Sequence, residues 1–311
     1  MTSVKARVPA RLARGMPMLR SRAPAWGLAV LGALALTDLP GLAASGHRAD
    51  SAGARRVPTY AAVGQQPIAS PSLYRIVGCR SHGRFAYLHG AARREVAIGF
   101  DDGPAADTGA FVTMLERSHA KATFFMVGRQ ITGRYRPTVL RELRDGDALG
   151  DHTFNHPDLT RSGSVRAELE STIGAIRSLS GYTPCVLRPP YGAYDPSVLR
   201  TARSLGLATV MWNVDPRDWA LPGTGAIAQQ VLAQVRPGSI IISHDGGGPR
   251  GETLAAYPSI IASLRARGYR MVTIPELLGF RPVYRPCVLL CYGIGIPRRL
   301  LPADAIVERA G

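Results

Sequence analysis

From residue 95 onward the sequence alternates short apolar runs with amphipathic segments, and nothing else in it restricts the fold as strongly. Seven runs, at 95–100, 122–127, 148–151, 186–188, 207–212, 239–244 and 269–273, have the length and apolar content of buried strands. Between them lie helical patterns. At 164–178, Val165, Leu169, Ile173 and Ile176 recur at helical spacing behind Ser164, a favoured N-cap residue. A second helix is predicted from Pro137 to a stop at Gly146, burying Val139, Leu140 and Leu143. A third is predicted over 253–267, with Gly268 ending it. Such alternation builds parallel βαβ units, in either an open doubly wound sheet or a closed barrel. In both, the carboxyl ends of the strands share one face, and sites form there.

Polar residues fall at those strand ends. The first run closes in Phe100-Asp101-Asp102-Gly103-Pro104. Taken alone this reads as a surface turn. At a strand end, however, adjacent carboxylates point in different directions, so one can bind a metal while the other faces substrate or water. The third run leads into His152-Thr153-Phe154-Asn155-His156, whose spacing puts both rings on one face if the segment makes a helical turn. Two histidines and one aspartate leave room for water, the pattern of a catalytic zinc site. After the fourth run, the prolines of Arg188-Pro189-Pro190-Tyr191-Gly192 stiffen a turn and fix where Arg188 and the Tyr191 N–H point. The fifth run precedes Asp215-Pro216-Arg217-Asp218-Trp219, and the sixth ends in Ile242-Ser243-His244-Asp245 before three glycines. A lone strand-end histidine is more often structural than catalytic. Here Asp218 offers His244 an orienting carboxylate.

Composition bounds the rest. With 311 residues, 46% hydrophobic and 19% charged, the chain has enough material for one large α/β domain or two smaller ones. Residues 1–22 carry six cations and no acid, an apolar stretch follows at 25–36, and small residues close the segment near Ala44. This order predicts a secretory leader at 1–44, with an uncleaved N-terminal membrane anchor as the lesser alternative. Removing it takes away those cations and Asp38, a net +5, and leaves +11 of the formal +16. A basic mature surface suits an anionic cell wall or membrane surface. Nucleic acid is not expected, because no aromatic-basic interleaving accompanies the charge. Residues 45–74, rich in Ala, Gly, Ser, Pro and Gln, read as a flexible linker. Residues 75–280 read as the main folded domain, which the family resemblance described below makes the catalytic one. The proline-broken stretch 281–311 reads as an extension packed on it. Four cysteines, Cys79, Cys185, Cys287 and Cys291, permit three pairings, and the sequence does not choose among them. The last two lack zinc-site companions and read as a disulfide or packed thiols.

Taken together, the five strand-end motifs resemble the polysaccharide deacetylase family, the NodB-homology domain of carbohydrate esterase family 4, over about 95–279. The resemblance implies a distorted (β/α) barrel of about seven parallel strands. It also implies metal-dependent removal of acetyl groups from a sugar polymer. Carried over by position, Asp102, His152 and His156 would hold a divalent metal, commonly zinc, with cobalt or another divalent ion as alternatives. Asp101 would be the general base restrained by Arg188, and the Tyr191 N–H would face the oxyanion. His244, held by Asp218, would protonate the leaving group. Trp219 and Ile242 would wall the acetyl pocket. Gly99 stands where the family often has Thr, Asp151 where Asn is usual, and Ile242 where Leu is usual; Asp151 would add negative charge beside the metal loop. The substrate expected first is peptidoglycan, then chitin-like oligomers; an acetylxylan-type O-acetyl esterase and a non-catalytic wall-binding protein are the alternatives. Export would make the protein secreted and wall-associated. No oligomeric state follows from the sequence.

Overall fold

A computed structural model of the chain describes residues 74–286 and 306–307. The predicted leader, nearly all of the predicted linker, and Cys287 and Cys291 lie outside the described residues. Along the chain run β1 (Tyr74–Arg80), β2 (Ala86–Tyr87), β3 (Glu95–Gly103), α1 (Thr108–Arg117), β4 (Thr123–Met126), α2 (Arg136–Asp145), β5 (Ala148–Asp151), α3 (Val165–Ser180) and β6 (Val186–Leu187). Then follow α4 (Pro196–Ser204), β7 (Ala208–Val210), α5 (Thr224–Gln234), β8 (Ile240–His244), α6 (Gly251–Ala266), β9 (Arg270–Val272), α7 (Ile274–Leu277), β10 (Arg281–Pro286) and β11 (Ile306–Val307). All seven predicted strands and all three predicted helices are present, with ends shifted by a few residues.

The larger sheet has the order β2-β7-β6-β5-β4-β3-β8, with β9 beside the amino half of β3, and every pairing in it is parallel. It is not left open. Just past β7 the chain reaches β8, where Asn213 N–H donates to Ile240 O (3.1 Å) and Ile242 N–H to Val214 O (3.0 Å). These bonds close the distorted (β/α) barrel. Its core follows from the strand composition: Phe100 on β3 packs edge-on against Phe111 of α1 and Tyr257 of α6, each fully buried. Helix α2 ends where predicted, at a left-handed Gly146 (φ 91°), a backbone position that glycine adopts without a Cβ penalty. Within α2, Val139 is fully buried while Leu140 and Leu143 are only partly so, and Glu142 lies inside instead. Ser164 occupies the N-cap of α3, but its side chain makes no capping bond.

Register fixes the site. Asp101 on β3 pairs with His244 on β8, and the ends of β5 and β6 deliver His152 and Arg188 to the same rim.

A second, three-stranded sheet pairs β1 with β10 antiparallel and β10 with β11 parallel. Pro282 and Pro286 share parity along β10, so the donors they lack all fall on one side of the strand. Residues 281–286 therefore belong to the same sheet as β1. A disulfide joins Cys79 on β1 to Cys185 just before β6, closing a loop across 106 positions. A cross-link over that span stabilises by about 2–5 kcal/mol.

Candidate active site

A bulge in β3 brings both aspartates to one place. Asp101 pairs with Phe125 of β4 and Gly103 with Met126, so Asp102 is an extra residue, held in left-handed backbone (φ 73°). Strict alternation would have sent Asp102 to the opposite face of the sheet; the bulge re-aims it. The loop after β8 seals this bend from behind. A Cβ on Gly246 or Gly247 would overlap Asp102, so only glycine fits at either position. The three consecutive glycines were visible in the sequence, but their purpose was not.

The two histidines also meet, though not by the helical turn their spacing suggested. Their loop is irregular, with Thr153 (φ 65°) and His156 (φ 63°) both left-handed. Side chains satisfy its successive N–H groups. Thr153 N–H donates to Asp151 Oδ1 (2.7 Å), Phe154 and Asn155 N–H to Glu168 Oε2 (2.9 and 2.7 Å), and His156 N–H to Thr153 Oγ1 (3.0 Å). Local side-chain acceptors of this kind compete with helix formation. The sequence reading missed Glu168, because its target lies a dozen residues upstream with no local signature.

The resulting cluster fits a divalent cation. Ligand atoms of Asp102, His152 and His156 all lie within 4.8 Å of one another, and Asp102 Oδ1 is 3.5 Å from His152 Nε2 and 3.2 Å from His156 Nε2. His152 Nδ1 lies 2.6 Å from Arg188 O, a carbonyl that can only accept. That bond puts the proton on Nδ1 and turns the Nε2 lone pair toward the cluster, as a ligand requires. His156 Nδ1 lies 3.2 Å from Tyr191 Oη. Burial alone would raise the Asp102 carboxyl, but the two imidazoles beside it hold it far below the usual range.

Two carboxylate–cation pairs stand at this cluster. Arg188 is fully buried and donates from Nη1 to Asp101 Oδ1 (2.7 Å). Its Nε and Nη2 have no hydrogen-bond partner; the guanidinium instead lies over the Phe125 ring at 4.2 Å, with Trp212 at 5.7 Å, where the ring faces attract a cation. Gly99 makes this seat: a side chain there would run into the guanidinium. In the second pair, Asp218 is fully buried and accepts from His244 Nδ1 (2.8 Å), His244 N–H (2.9 Å) and Thr253 Oγ1 (2.9 Å). Burial would lower the His244 pKa. The Asp218 hydrogen bond and charge, with Asp101 and Asp102 beyond, outweigh burial and raise it above the ordinary imidazole value.

A cavity of about 510 Å³ opens over the cluster. Asp101, Asp102, His152, His156 and His244 line its floor, and Tyr191, Trp219 and Ile242 its walls; Arg188 and Asp218 sit behind the groups they hold. Trp212 also lines it, a residue the sequence reading had placed only at a strand end. Tyr191 is left-handed (φ 59°) in its proline-stiffened turn, with its ring exposed.

The family model for polysaccharide deacetylase matches residues 89–210. The peptidoglycan-N-acetylglucosamine deacetylase of Bacillus cereus is 37% identical over 198 residues, 60% of this chain and 89% of that protein. The chain belongs to the polysaccharide deacetylase family. A chitooligosaccharide deacetylase of Bradyrhizobium sp. is 36% identical, over 59% of this chain and 90% of that one. Among solved structures, the Bc1960 peptidoglycan N-acetylglucosamine deacetylase superposes with a TM-score of 0.61 at 32% identity, covering 63% of this chain and 93% of that one.

Within the family pattern, Asp151 was expected to add charge beside the metal loop. It is fully buried, its Oδ1 accepts from Thr153, its Oδ2 has no partner, and burial pushes its carboxyl well above the usual range.

Proposed function

We propose that this chain is an exported, metal-dependent deacetylase that hydrolyses N-acetyl groups of a cell-wall or chitin-like glycan, with peptidoglycan the first substrate to test. One observation carries the reading. The Asp101–Arg188 pair and the Asp218–His244 pair meet one candidate ligand cluster in one cavity, so a base, a ligand set and an acid face the same space. Export is supported by the leader pattern and by the Cys79–Cys185 disulfide, since disulfides persist in oxidising compartments.

Asp102, His152 and His156 would hold the metal, most suitably zinc with this donor set. When bound, it would acidify water and polarise the acetyl carbonyl. Asp101 accepts the proton of the attacking water while Arg188 keeps its carboxylate in place. The Tyr191 N–H donates to the oxygen that gains charge as water adds to the carbonyl carbon, an interaction stronger in the transition state than before it. His244 then delivers a proton to the sugar nitrogen as the C–N bond breaks, leaving acetate and a free amine. Ile242 and Trp219 enclose the methyl group.

Acetate release from peptidoglycan, chitooligosaccharide and acetylxylan, with zinc or cobalt and then with chelator, tests this reading. Metal-dependent release from an N-acetylated polymer is expected. Release from acetylxylan alone would make the enzyme an O-acetyl esterase. Background release from all three would leave a non-catalytic wall binder.

A further inference from the structure

The cavity over the ligand cluster does not end at His156 and Tyr191. Beyond them lies a second cavity of about 310 Å³, which shares Asp102, His156 and Tyr191 with the first and adds Arg129, Gln130 and Asn155. The two flank the cluster differently. Trp212 and Trp219 line the first, offering aromatic surface; Arg129 gives the second a cation. Asp102 is the only acid lining the second cavity, and in the proposed metal-loaded enzyme it is a ligand.

Arg129 is exposed, and its guanidinium makes no hydrogen bond or ion pair among the described residues. Its backbone is nonetheless fixed to the site. Gly128 N–H donates to Thr153 O (2.9 Å) and Arg129 N–H to Phe154 O (3.0 Å), which ties this turn to the loop that carries both histidines. With its amide oriented for bonding, Gln130 donates to Asp102 O (3.2 Å) and Pro104 O (3.3 Å). Asn155 is held by Glu168, its Nδ2 donating to Oε1 (2.8 Å). The guanidinium thus projects from a platform as firm as the histidine loop, with its donors unspent.

We propose that Arg129 is a specificity residue that binds a carboxylate on the sugar next to the one being deacetylated. This rests on the glycan deacetylase reading above. A polymer with its acetyl group over Asp101 extends across the rim, and the sugar beyond His156 reaches the second cavity. A neutral N-acetylglucosamine unit there offers a guanidinium only hydroxyls and an amide. A unit bearing a carboxylate offers a planar acceptor that matches the guanidinium fork, the pairing arginine makes better than any other side chain. The comparisons include relatives named for peptidoglycan and for chitooligosaccharides at nearly equal identity, so overall similarity does not separate those substrates. Under this proposal the guanidinium of Arg129, which unlike Arg188 has no carboxylate partner among the described residues, favours a chain bearing carboxylates over a neutral one.

The test uses the zinc-loaded enzyme and three oligosaccharides of equal length: one whose alternate sugars carry a carboxylate, its methyl ester, and a neutral chitooligosaccharide. Wild type is expected to prefer the free acid over the ester by about tenfold in kcat/KM, mostly through KM, and to lose the preference as salt is added. Arg129→Gln should abolish the preference and leave the ester and neutral oligomer within about twofold of wild type. An equal drop on all three substrates, or a wild type indifferent to esterification, would overturn the assignment. Wild type releasing acetate from none of the three would overturn the deacetylase reading itself, and this inference with it.

Discussion

Two carboxylate–cation pairs serve the same cavity, and they differ in which partner can exchange a proton. In the pair on β3 the cation is a buried arginine, a side chain that does not exchange its proton, so the proposed mechanism gives the proton exchange to Asp101. In the pair at the end of β8 the cation is a histidine raised above its ordinary pKa, and the fully buried Asp218 behind it accepts from three donors. There the proposed mechanism gives the exchange to His244. In the proposed mechanism nearly the same ion-pair chemistry therefore serves as a base in one place and an acid in the other, depending on which member faces the cavity and which stands behind it.

Substitutions should separate the two pairs and the ligand cluster. The largest effect is expected from Asp101→Asn, which removes the proton acceptor; acetate release should fall by about a thousandfold or more. His152→Ala should cost as much activity but by a different route, losing zinc in a calorimetric titration. His244→Ala should lower release from N-acetyl substrates by roughly a hundredfold or more, and from O-acetyl substrates by less, because an alkoxide leaves unprotonated more readily than an amine anion. An equal loss on both would break the acid assignment.

Asp218→Asn is a smaller and more diagnostic change. His244 must be protonated to act, so activity falls as pH rises through its pKa, which is raised in this structure. Without the Asp218 charge that pKa drops, and the alkaline limb of the kcat profile should move to lower pH. A limb that stays in place would assign it to another group. Thr253→Val removes one of the three donors on Asp218 and should shift the same limb slightly, with a severalfold loss of rate at most.

How much of this was legible depended on the distance over which each feature is encoded. The strand-end motifs were readable because a strand, its terminal polar residue and the following turn are contiguous, and the strand order places them on one rim. Closure of the barrel was implied by the family resemblance but not by the alternation of strands and helices, since the bonds from Asn213 and Val214 to β8 depend on three-dimensional curvature. The sheet of β1 and β10 was hidden twice over: its strands lie about two hundred residues apart, and Pro282 and Pro286 look like strand breakers. The histidine spacing suggested the right proximity with the wrong geometry, because side-chain acceptors from Asp151, Thr153 and Glu168 hold the loop in left-handed turns. The Cys79–Cys185 pairing followed only from the fold, which carries β1 to the start of β6.

The bulge at Asp102 gives the two neighbouring aspartates different partners, Arg188 for one and the two histidines for the other, and zinc binding to Asp101→Asn tests the proposed division of work most directly. Calorimetric titration alongside acetate release should find zinc bound as in wild type and release at background. Loss of zinc from this variant, or acetate release at the wild-type rate, would contradict the assignment of the metal to Asp102 and the water's proton to Asp101.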